Sequence, residues 1–154
     1  MWWRLPHREW VAGKGEKNKR ALCALMRRGA VPGIIAYANG EPVGWVALAP
    51  REEYPRLASS RTLKPIDARP VWSVSCFFVA RSHRRRGLTT ALLGAAAKFA
   101  RNRGAHLLEG YPTEPKKKTS DVFLFTGTLR AFSRAGFEVA ARPSHAALIV
   151  RRAL

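Results

Sequence analysis

Arginine side chains and one glycine cluster in a short stretch where the chain passes from an apolar run into a helical pattern. From Val79 to Thr90 it reads Val-Ala-Arg-Ser-His-Arg-Arg-Arg-Gly-Leu-Thr-Thr. The first backbone N–H groups of a helix lack intrahelical partners, and the helix dipole adds partial positive charge there. With guanidinium groups nearby, a strand, turn and helix in this order are suited to bind an anion. We therefore predict a site for a phosphate-bearing ligand in this stretch.

The composition is that of a folded protein. At 154 residues and 47% hydrophobic content, we expect one α/β domain over residues 1–154 and exclude a disordered chain. Cys23 and Cys76 lie far apart in apolar settings, which favours reduced, buried thiols over a disulfide or a metal site. No window approaches the ~20 apolar residues of a membrane span. A cytoplasmic protein without a membrane partner is the expectation.

The net charge of +18 suggests an anionic partner, which could be nucleic acid, a ribosome, an acidic peptide or a polyphosphate cofactor. The basic residues nevertheless fall into separate clusters along the chain. These clusters are 14–20, 27–28, 81–86, 101–103, 116–118 and 151–152. Such dispersal favours a general role in solubility, so a nucleic-acid partner is not the favoured prediction.

The first third of the chain predicts an edge strand, a helix and a hairpin. Met1 to Leu5 resembles a short edge strand that stops at Pro6. Glu16 to Arg28 has helical spacing of apolar residues and ends before Gly29. Two β-type runs at 33–38 and 42–48 flank Asn39-Gly40, a pair that tolerates the positive φ of a tight hairpin turn. The proline-rich stretch 50–70 predicts either a functional loop or a segment with a short helix near 52–59.

The remaining elements complete an α/β pattern. A central strand is predicted at 71–79, with Trp72, Val74 and Phe78 on one face and Val71, Phe77 and Val79 on the other. A helix follows at 88–103, then a strand at 105–111, a polar segment at 116–121 and a short helix at 128–135. A hairpin of 137–141 and 146–152 closes the chain. This order predicts a mixed central sheet flanked by helices.

With that order in place, Arg84-Arg85-Arg86-Gly87-Leu88-Thr89 resembles the Arg/Gln-x-x-Gly-x-Gly/Ala signature of the GNAT superfamily of acyl-CoA-dependent N-acyltransferases. Asn39 to Trp45 is similar to the family's hairpin before this motif. Phe132 to Phe137 is similar to its late helix that ends in Gly-Phe. The resemblance implies a sheet splayed between its fourth and fifth strands, here 71–79 and 105–111.

The resemblance also implies acetyl-CoA as co-substrate. Backbone amides of the turn would hold its pyrophosphate, and the strand before it would lend backbone groups to the pantetheine arm. The turn residues are Arg84, Arg85, Arg86, Gly87, Leu88, Thr89 and Thr90, and the strand residues are Phe77, Phe78 and Val79. Thr89 departs from the family's preference for glycine or alanine. Gly87 lets the backbone approach the phosphates.

A thioester attacked by an amine needs a base for the amine and an acid for the leaving thiolate. Many family members use a tyrosine as the acid where this chain has Phe132, which is therefore assigned to the cofactor site without that role. Glu109 is the candidate base on the fifth strand, and Tyr111 is the candidate replacement acid. The alternatives are a solvated carboxylate at Glu109 and a packing role for Tyr111. Ser73, Ser75, Cys76 and His83 are weaker candidates.

The predicted function is an N-acetyltransferase that moves an acetyl group from acetyl-CoA to a primary amine of a small molecule or peptide, by direct attack in a ternary complex. The loop 51–70 carries Glu52, Glu53 and Asp67, which would suit a cationic acceptor, although Glu52 and Glu53 also suit a helix start. Two alternatives stay open: acyl transfer to an RNA- or ribosome-associated amine, and a catalytically weak module that binds CoA or nucleic acid. The acceptor and oligomeric state stay undetermined, and a dimer is compatible with the sequence.

Overall fold

A six-stranded sheet organises the part of the chain that the computed structural model describes, namely residues 1–115, 120–145 and 147–154. Residues 116–119, which carry the lysines of the predicted polar segment 116–121, and residue 146 lie outside the described residues. The strands are β1 Gly33–Ala38, β2 Glu41–Pro50, β3 Trp72–Val79, β4 Leu107–Gly110, β5 Glu138–Ser144 and β6 Ala147–Ala153. Their spatial order is β1-β2-β3-β4-β6-β5. Because β3 and β4 pair in parallel and the other neighbours antiparallel, the predicted mixed sheet is confirmed.

Helices connect and cover these strands. They are α1 His7–Ala12, α2 Glu16–Arg27, α3 Pro55–Ala58, α4 Leu88–Asn102 and α5 Leu129–Arg134, with 3-10 turns at Arg51–Glu53, Arg81–His83 and Asp121–Leu124. The helix α4 is the crossover that a parallel β3–β4 pair requires. Among the described residues, no helix has the length and apolarity needed to cross a membrane.

Each face of the sheet has its own apolar cluster. On one face, α4 and α5 pack over the strands, with Leu92, Leu93 and Ala96 at helical spacing and fully or almost fully buried. On the other face, Tyr54, Leu57, Tyr111 and Ile149 are buried together, and Trp3 packs against them. The strands therefore have two covered faces, and alternate residues of one strand serve different clusters.

A bulge in β3 sets the geometry of the centre. The pairing of β2 with β3 shifts register between Ala47 and Leu48, which pair with Cys76 and Val74 and leave Ser75 as the extra residue. The strand β3 pairs with β4 only as far as Val74 with Gly110. Beyond that point β3 continues to Val79 without β4, so the two strands part where the splay is expected.

The bulge also corrects the predicted alternation along β3. Phe77 packs against the same cluster as Val74, whereas Phe78 is 59% exposed. The sequence predicted that Phe77 and Val74 lie on different faces of the sheet. That prediction is wrong, because the extra residue Ser75 reverses the alternation of side chains between the two faces.

The beginning of the chain differs from its prediction. No strand forms from Met1 to Leu5; the segment is a turn in which the Arg4 amide donates to the Met1 carbonyl at 3.0 Å. The helix α1 follows Pro6, an element that the sequence analysis did not predict. Burial of the Trp3 side chain against the Tyr54 cluster, rather than edge pairing, fixes this segment. Since no first strand forms, the predicted fourth and fifth strands are β3 and β4.

We expect Gly110→Ala to destabilise the protein by about 1–3 kcal/mol because of overpacking. A Cβ atom at Gly110 would lie 2.2 Å from Cε1 of Phe132, which is completely buried. Denaturant unfolding monitored by circular dichroism measures the change.

The matched control is Gly94→Ala in α4, where a new Cβ meets nothing within 4 Å. Alanine in a helix interior is expected to stabilise by about 0.5–1 kcal/mol. Equal stabilities of the two variants would contradict the packing of Phe132 on Gly110.

Candidate active site

The parted strands border a groove of about 1160 Å³ on the α4 and α5 face of the sheet. Its walls come from the end of β3, the turn before α4, and the segment that leads into α5. The lining residues are Phe77, Phe78, Val79, His83, Arg84, Arg85, Gly87, Leu88, Thr89, Thr90, Ser120, Leu124, Phe125, Gly127, Thr128, Arg130, Ala131 and Arg134. Nearly all of the predicted strand and turn residues therefore meet in one place.

The N-terminus of α4 provides the polar end of this groove. Gly87 is its N-cap with φ of 81°, and no side chain caps the helix. The amides of Leu88, Thr89 and Thr90 occupy the first turn, where intrahelical acceptors do not exist. Arg85 also has a positive φ, 61°, which costs a non-glycine residue of order 1–3 kcal/mol. Such strain commonly accompanies a backbone shaped for a ligand.

Arginine side chains surround that end. The Arg84 Nε donates to the Val79 carbonyl at 3.1 Å, which fixes the turn against the end of β3. Arg130 and Arg134 project from α5 on the other wall. The predicted residue Arg86 is exposed but does not line the groove. The concentration of positive charge around uncapped amides favours an anionic ligand.

The edge of β3 that β4 leaves unpaired borders the rest of the groove. The Phe77 amide donates to the Phe125 carbonyl at 2.6 Å, so the segment before α5 lies alongside β3 where β4 has departed. The Phe125 side chain is 40% exposed. This edge is where a ligand with amide groups would continue the sheet hydrogen bonding.

Phe132 lies below the groove and does not line it. Its ring is fully buried in edge contact with Phe77 and Phe137, at centroid distances of 6.0 and 4.9 Å. A phenyl ring in this position offers no proton, and its contribution is to support Phe77 from beneath.

The predicted pair Glu109 and Tyr111 lies on the opposite face, inside a buried network. Glu109 is 0% exposed, and its carboxylate accepts from Arg51 at 2.7 Å, from Arg151 at 2.8 Å and from the Tyr111 hydroxyl at 2.7 Å. The Tyr111 oxygen also contacts Arg51 and lies 2.8 Å from Ser73 Oγ. The solvated carboxylate considered from the sequence is therefore wrong. Burial raises the pKa of Tyr111, and the negative charge of Glu109 raises it further.

Asp67 extends this network to the surface. Its carboxylate accepts from Arg151 at 2.6 Å and from Arg69 at 2.8 Å, and these two hydrogen bonds hold its pKa well below the usual range. Burial acts to lower the pKa of Arg151, but its bonds to Asp67 and Glu109 outweigh that effect and the pKa is raised. Arg151 therefore stays charged and bridges the two carboxylates.

The acidic residues of the 51–70 loop do not converge on the splay. Glu53 pairs with Arg4, and Asp67 belongs to the network. Glu52 lines a separate, mostly apolar cavity of about 390 Å³ beside the start of β3. Both Glu52 and Glu53 lie in the 3-10 turn Arg51–Glu53, close to the short helical element that the sequence predicted.

The weaker candidates have distinct settings. Burial raises the pKa of the Cys76 thiol. A smaller fraction of Cys76 is then present as the thiolate, which is the form that acts as a nucleophile. Both cysteines are half-buried and free, which corrects the expectation of full burial. Ser73 and Ser75 are buried in the sheet, and His83 lines the groove at the turn.

Arg51 and Arg151 are the site residues that sequence reasoning missed. The usable signals were Glu109 inside the apolar stretch Leu107 to Tyr111 and Arg151 directly after the apolar run Leu148 to Val150. The pairing of Glu109 opposite Arg151 follows from the β4–β6 register, which the sequence does not reveal.

Comparison with known proteins agrees with this geometry. A curated relative, an uncharacterized N-acetyltransferase of Methanocaldococcus jannaschii, is 28% identical over 114 residues, which are 74% of this chain; the aligned part spans only 42% of that relative. Among solved structures, an aminoglycoside acetyltransferase bound to coenzyme A and kanamycin superposes with a TM-score of 0.59 at 22% identity, covering 90% of this chain and 75% of the other.

A ribosomal-protein-alanine N-acetyltransferase from Brucella melitensis has a TM-score of 0.58 at 19% identity, covering 90% of this chain and 78% of the other. The PaiA N-acetyltransferase of Thermoplasma acidophilum in complex with coenzyme A has a TM-score of 0.57 at 15% identity, covering 96% and 77%. The family model described as Acetyltransferase (GNAT) family matches residues 1–118. The chain, with its splayed sheet and its uncapped helix beside the splay, belongs to the GNAT acetyltransferase family.

Proposed function

We propose that this protein transfers an acetyl group from acetyl-CoA to a primary amine, by direct attack in a ternary complex. The observation that supports this proposal is the groove that joins the edge of β3 beyond β4 to the uncapped N-terminus of α4. Family membership supports acetyl transfer. Two of the structural neighbours hold coenzyme A, which supports acetyl-CoA as the donor.

The residues around the groove fit such a donor. Amides from Arg84 to Thr90 would hold the pyrophosphate, with Gly87 admitting it close to the backbone. Phe77, Phe78 and Val79 would offer strand-edge groups to the pantetheine amides. Arg130 and Arg134 would contribute positive charge from α5. Acetyl-CoA would supply the activated acyl carbon.

For acetyl-CoA to use the amide of Phe77, the Phe125 carbonyl must give up its hydrogen bond to that amide. The segment that leads into α5 therefore shifts when the arm binds. Because the bond is a single one at the end of the splay, its exchange for a ligand carbonyl is close to neutral in free energy.

Glu109 and Tyr111 would act by fixing the strands around the part of the splay where the acyl group would lie. The carboxylate oxygens of Glu109 accept from two arginines, so we propose a positioning role for both residues in place of the base and acid predicted from sequence. The amine then loses its proton to water, and the departing thiolate is stable enough to leave without a side-chain acid.

Two structural neighbours are named for different acceptors, an aminoglycoside in one and a ribosomal-protein alanine in the other. In the described residues, Glu53 and Asp67 are already paired with arginines. We therefore favour a single amine on a small molecule or peptide over a polycationic acceptor.

We expect the wild-type protein to release thiol from acetyl-CoA when primary amines are supplied, because an enzyme turns over whereas a binding module does not. A thiol-release assay over a panel of amines, run beside titration calorimetry with CoA, measures both properties. Binding of CoA without turnover on any amine would favour the binding module, and absence of CoA binding would exclude both functions.

We expect Gly87→Val to weaken CoA binding by about tenfold or more, because a β-branched residue strains the left-handed conformation and crowds the phosphate approach. Calorimetry with CoA measures the loss. Gly40→Val is the matched control: its φ is 82° against 81° at Gly87, both positions have open space around a Cβ, and Gly40 lies in the β1–β2 turn. Equal CoA affinity in the two variants would contradict the phosphate site.

We expect Glu109→Gln to lower the free energy of unfolding by about 3–5 kcal/mol, because Arg51 loses its buried carboxylate partner and Arg151 keeps only Asp67. Denaturant unfolding measures this change. Glu114→Gln is the control, since Glu114 pairs with Arg142 at the surface, where an ion pair contributes about 0–1 kcal/mol.

The same Glu109 variant tests the base assignment. A general base becomes dispensable once the solution deprotonates the amine. A variant of unchanged stability whose activity recovers at high pH would identify Glu109 as the base and contradict the positioning role.

A further inference from the structure

The hydroxyl of Tyr54 is buried without a hydrogen-bond partner. Tyr54 follows the 3-10 turn after β2 and is 1% exposed. Arg4 stacks on its ring, 4.9 Å from the centroid, so the ring itself is firmly packed. Among the described residues, the Trp3 indole Nε1 is the only other buried side-chain polar atom without a hydrogen-bond partner.

An unpaired buried hydroxyl is unfavourable, and native proteins contain few of them. A phenylalanine would fill the same volume without that cost. The ring contacts therefore explain the aromatic side chain at position 54, but they do not explain its oxygen. The neighbouring Tyr111 makes the contrast, because its hydroxyl contacts Arg51, Ser73 and Glu109.

The position of the Tyr54 oxygen relates it to the splay. Ser75 and Cys76 are its neighbours on β3, and Ser75 lies close enough to lower the pKa of the hydroxyl without forming a well-oriented hydrogen bond. Ser75 is the extra residue of the bulge at which β3 leaves β4. Phe77, which lines the groove, is two residues further, about 7 Å along the strand. The hydroxyl thus lies beside the point where β3 leaves β4, on the face of the sheet opposite α4.

We propose that the Tyr54 hydroxyl donates a hydrogen bond to the carbonyl oxygen of the acyl thioester during transfer. This inference rests on the proposed function. In the reaction the amine nitrogen bonds to the carbonyl carbon, the carbon–sulfur bond breaks, and sulfur departs with the bonding electron pair as a thiolate. One amine proton passes to water, which balances the charge. Negative charge grows on the carbonyl oxygen meanwhile, and a fixed donor stabilises it.

The acidity of the group supports a donor role over an acid role. Burial raises the pKa of Tyr54 to about 12, an effect that outweighs the lowering by Ser75 and Arg4. Proton transfer to a thiolate, whose conjugate thiol has a pKa of about 8.5, would be uphill by about 3.5 pK units. The hydroxyl therefore stays protonated near neutral pH and offers a hydrogen bond without giving up its proton.

The test compares Tyr54→Phe with Tyr111→Phe and the wild type. For Tyr54→Phe we expect an unchanged or higher midpoint of thermal unfolding, unchanged affinity for CoA, which has no acyl oxygen, and weaker affinity for acetyl-CoA. Its kcat should fall about 10²- to 10³-fold, as for loss of one oxyanion donor. For Tyr111→Phe we expect a midpoint lower by several degrees, since its partners lose their hydrogen bonds.

Several results would overturn the inference. If the wild type is active and the Tyr54→Phe variant keeps full kcat, the inference is wrong. It is also wrong if Tyr54→Phe is destabilised as much as Tyr111→Phe, because the Tyr54 hydroxyl would then have a structural role. A wild type that neither binds CoA nor releases thiol removes the proposed function itself, and the stability comparison still reports whether the Tyr54 oxygen is structurally bonded.

Discussion

The parting of β3 from β4 is the constraint on which the rest of the site depends. One extra residue, Ser75, interrupts the regular pairing of β3 with β2, and the parallel pairing with β4 stops at Val74. Because a bulge bends and twists its strand, β3 is directed away from β4 and a backbone edge is left free inside the sheet. The groove, the turn before α4 and the Tyr54 hydroxyl all lie around that edge.

Different forces hold the two sides of this gap. On the α4 side, contacts among apolar residues are so close that Gly110 has no room for a Cβ beside Phe132. On the opposite side, Arg51 and Arg151 clamp the carboxylate of Glu109. A buried ion pair contributes little net stability but strongly penalises any arrangement that separates its charges. The network therefore fixes the position of β4 and β6 relative to the loop after β2, where Tyr54 lies.

The two faces of the gap suit different chemistries. At the α4 end, uncapped amides and arginines face solvent, where they attract phosphate and where full charges cost little to keep. On the opposite face, beside the bulge in β3, the neutral Tyr54 hydroxyl is buried near Trp3 and Tyr111, and a hydrogen bond is stronger there because water is excluded. A long ligand with a charged head and a neutral reactive tip matches that gradient.

The sequence alone determined the order of the main elements from α2 onward, the hairpin at Asn39-Gly40 and the turn at Gly87, because positive φ angles and apolar periodicity are local properties. It also located the strand edge at Phe77 to Val79, through resemblance to a family with a short local motif. These parts of the candidate site agree with the groove that the structure forms.

Only the tertiary structure decided the faces and partners. The inverted alternation after Ser75 depends on pairing with β2, and the Glu109–Arg151 pair depends on the register of β6, which is distant in sequence. The turn at Met1 to Leu5 likewise depends on where Trp3 finds a cluster to pack against. Tyr54 looked like one aromatic residue in a proline-rich loop, and its unpaired oxygen became visible only when the fold buried it. Burial and hydrogen-bond partners are properties of the assembled chain, so no local pattern could reveal them.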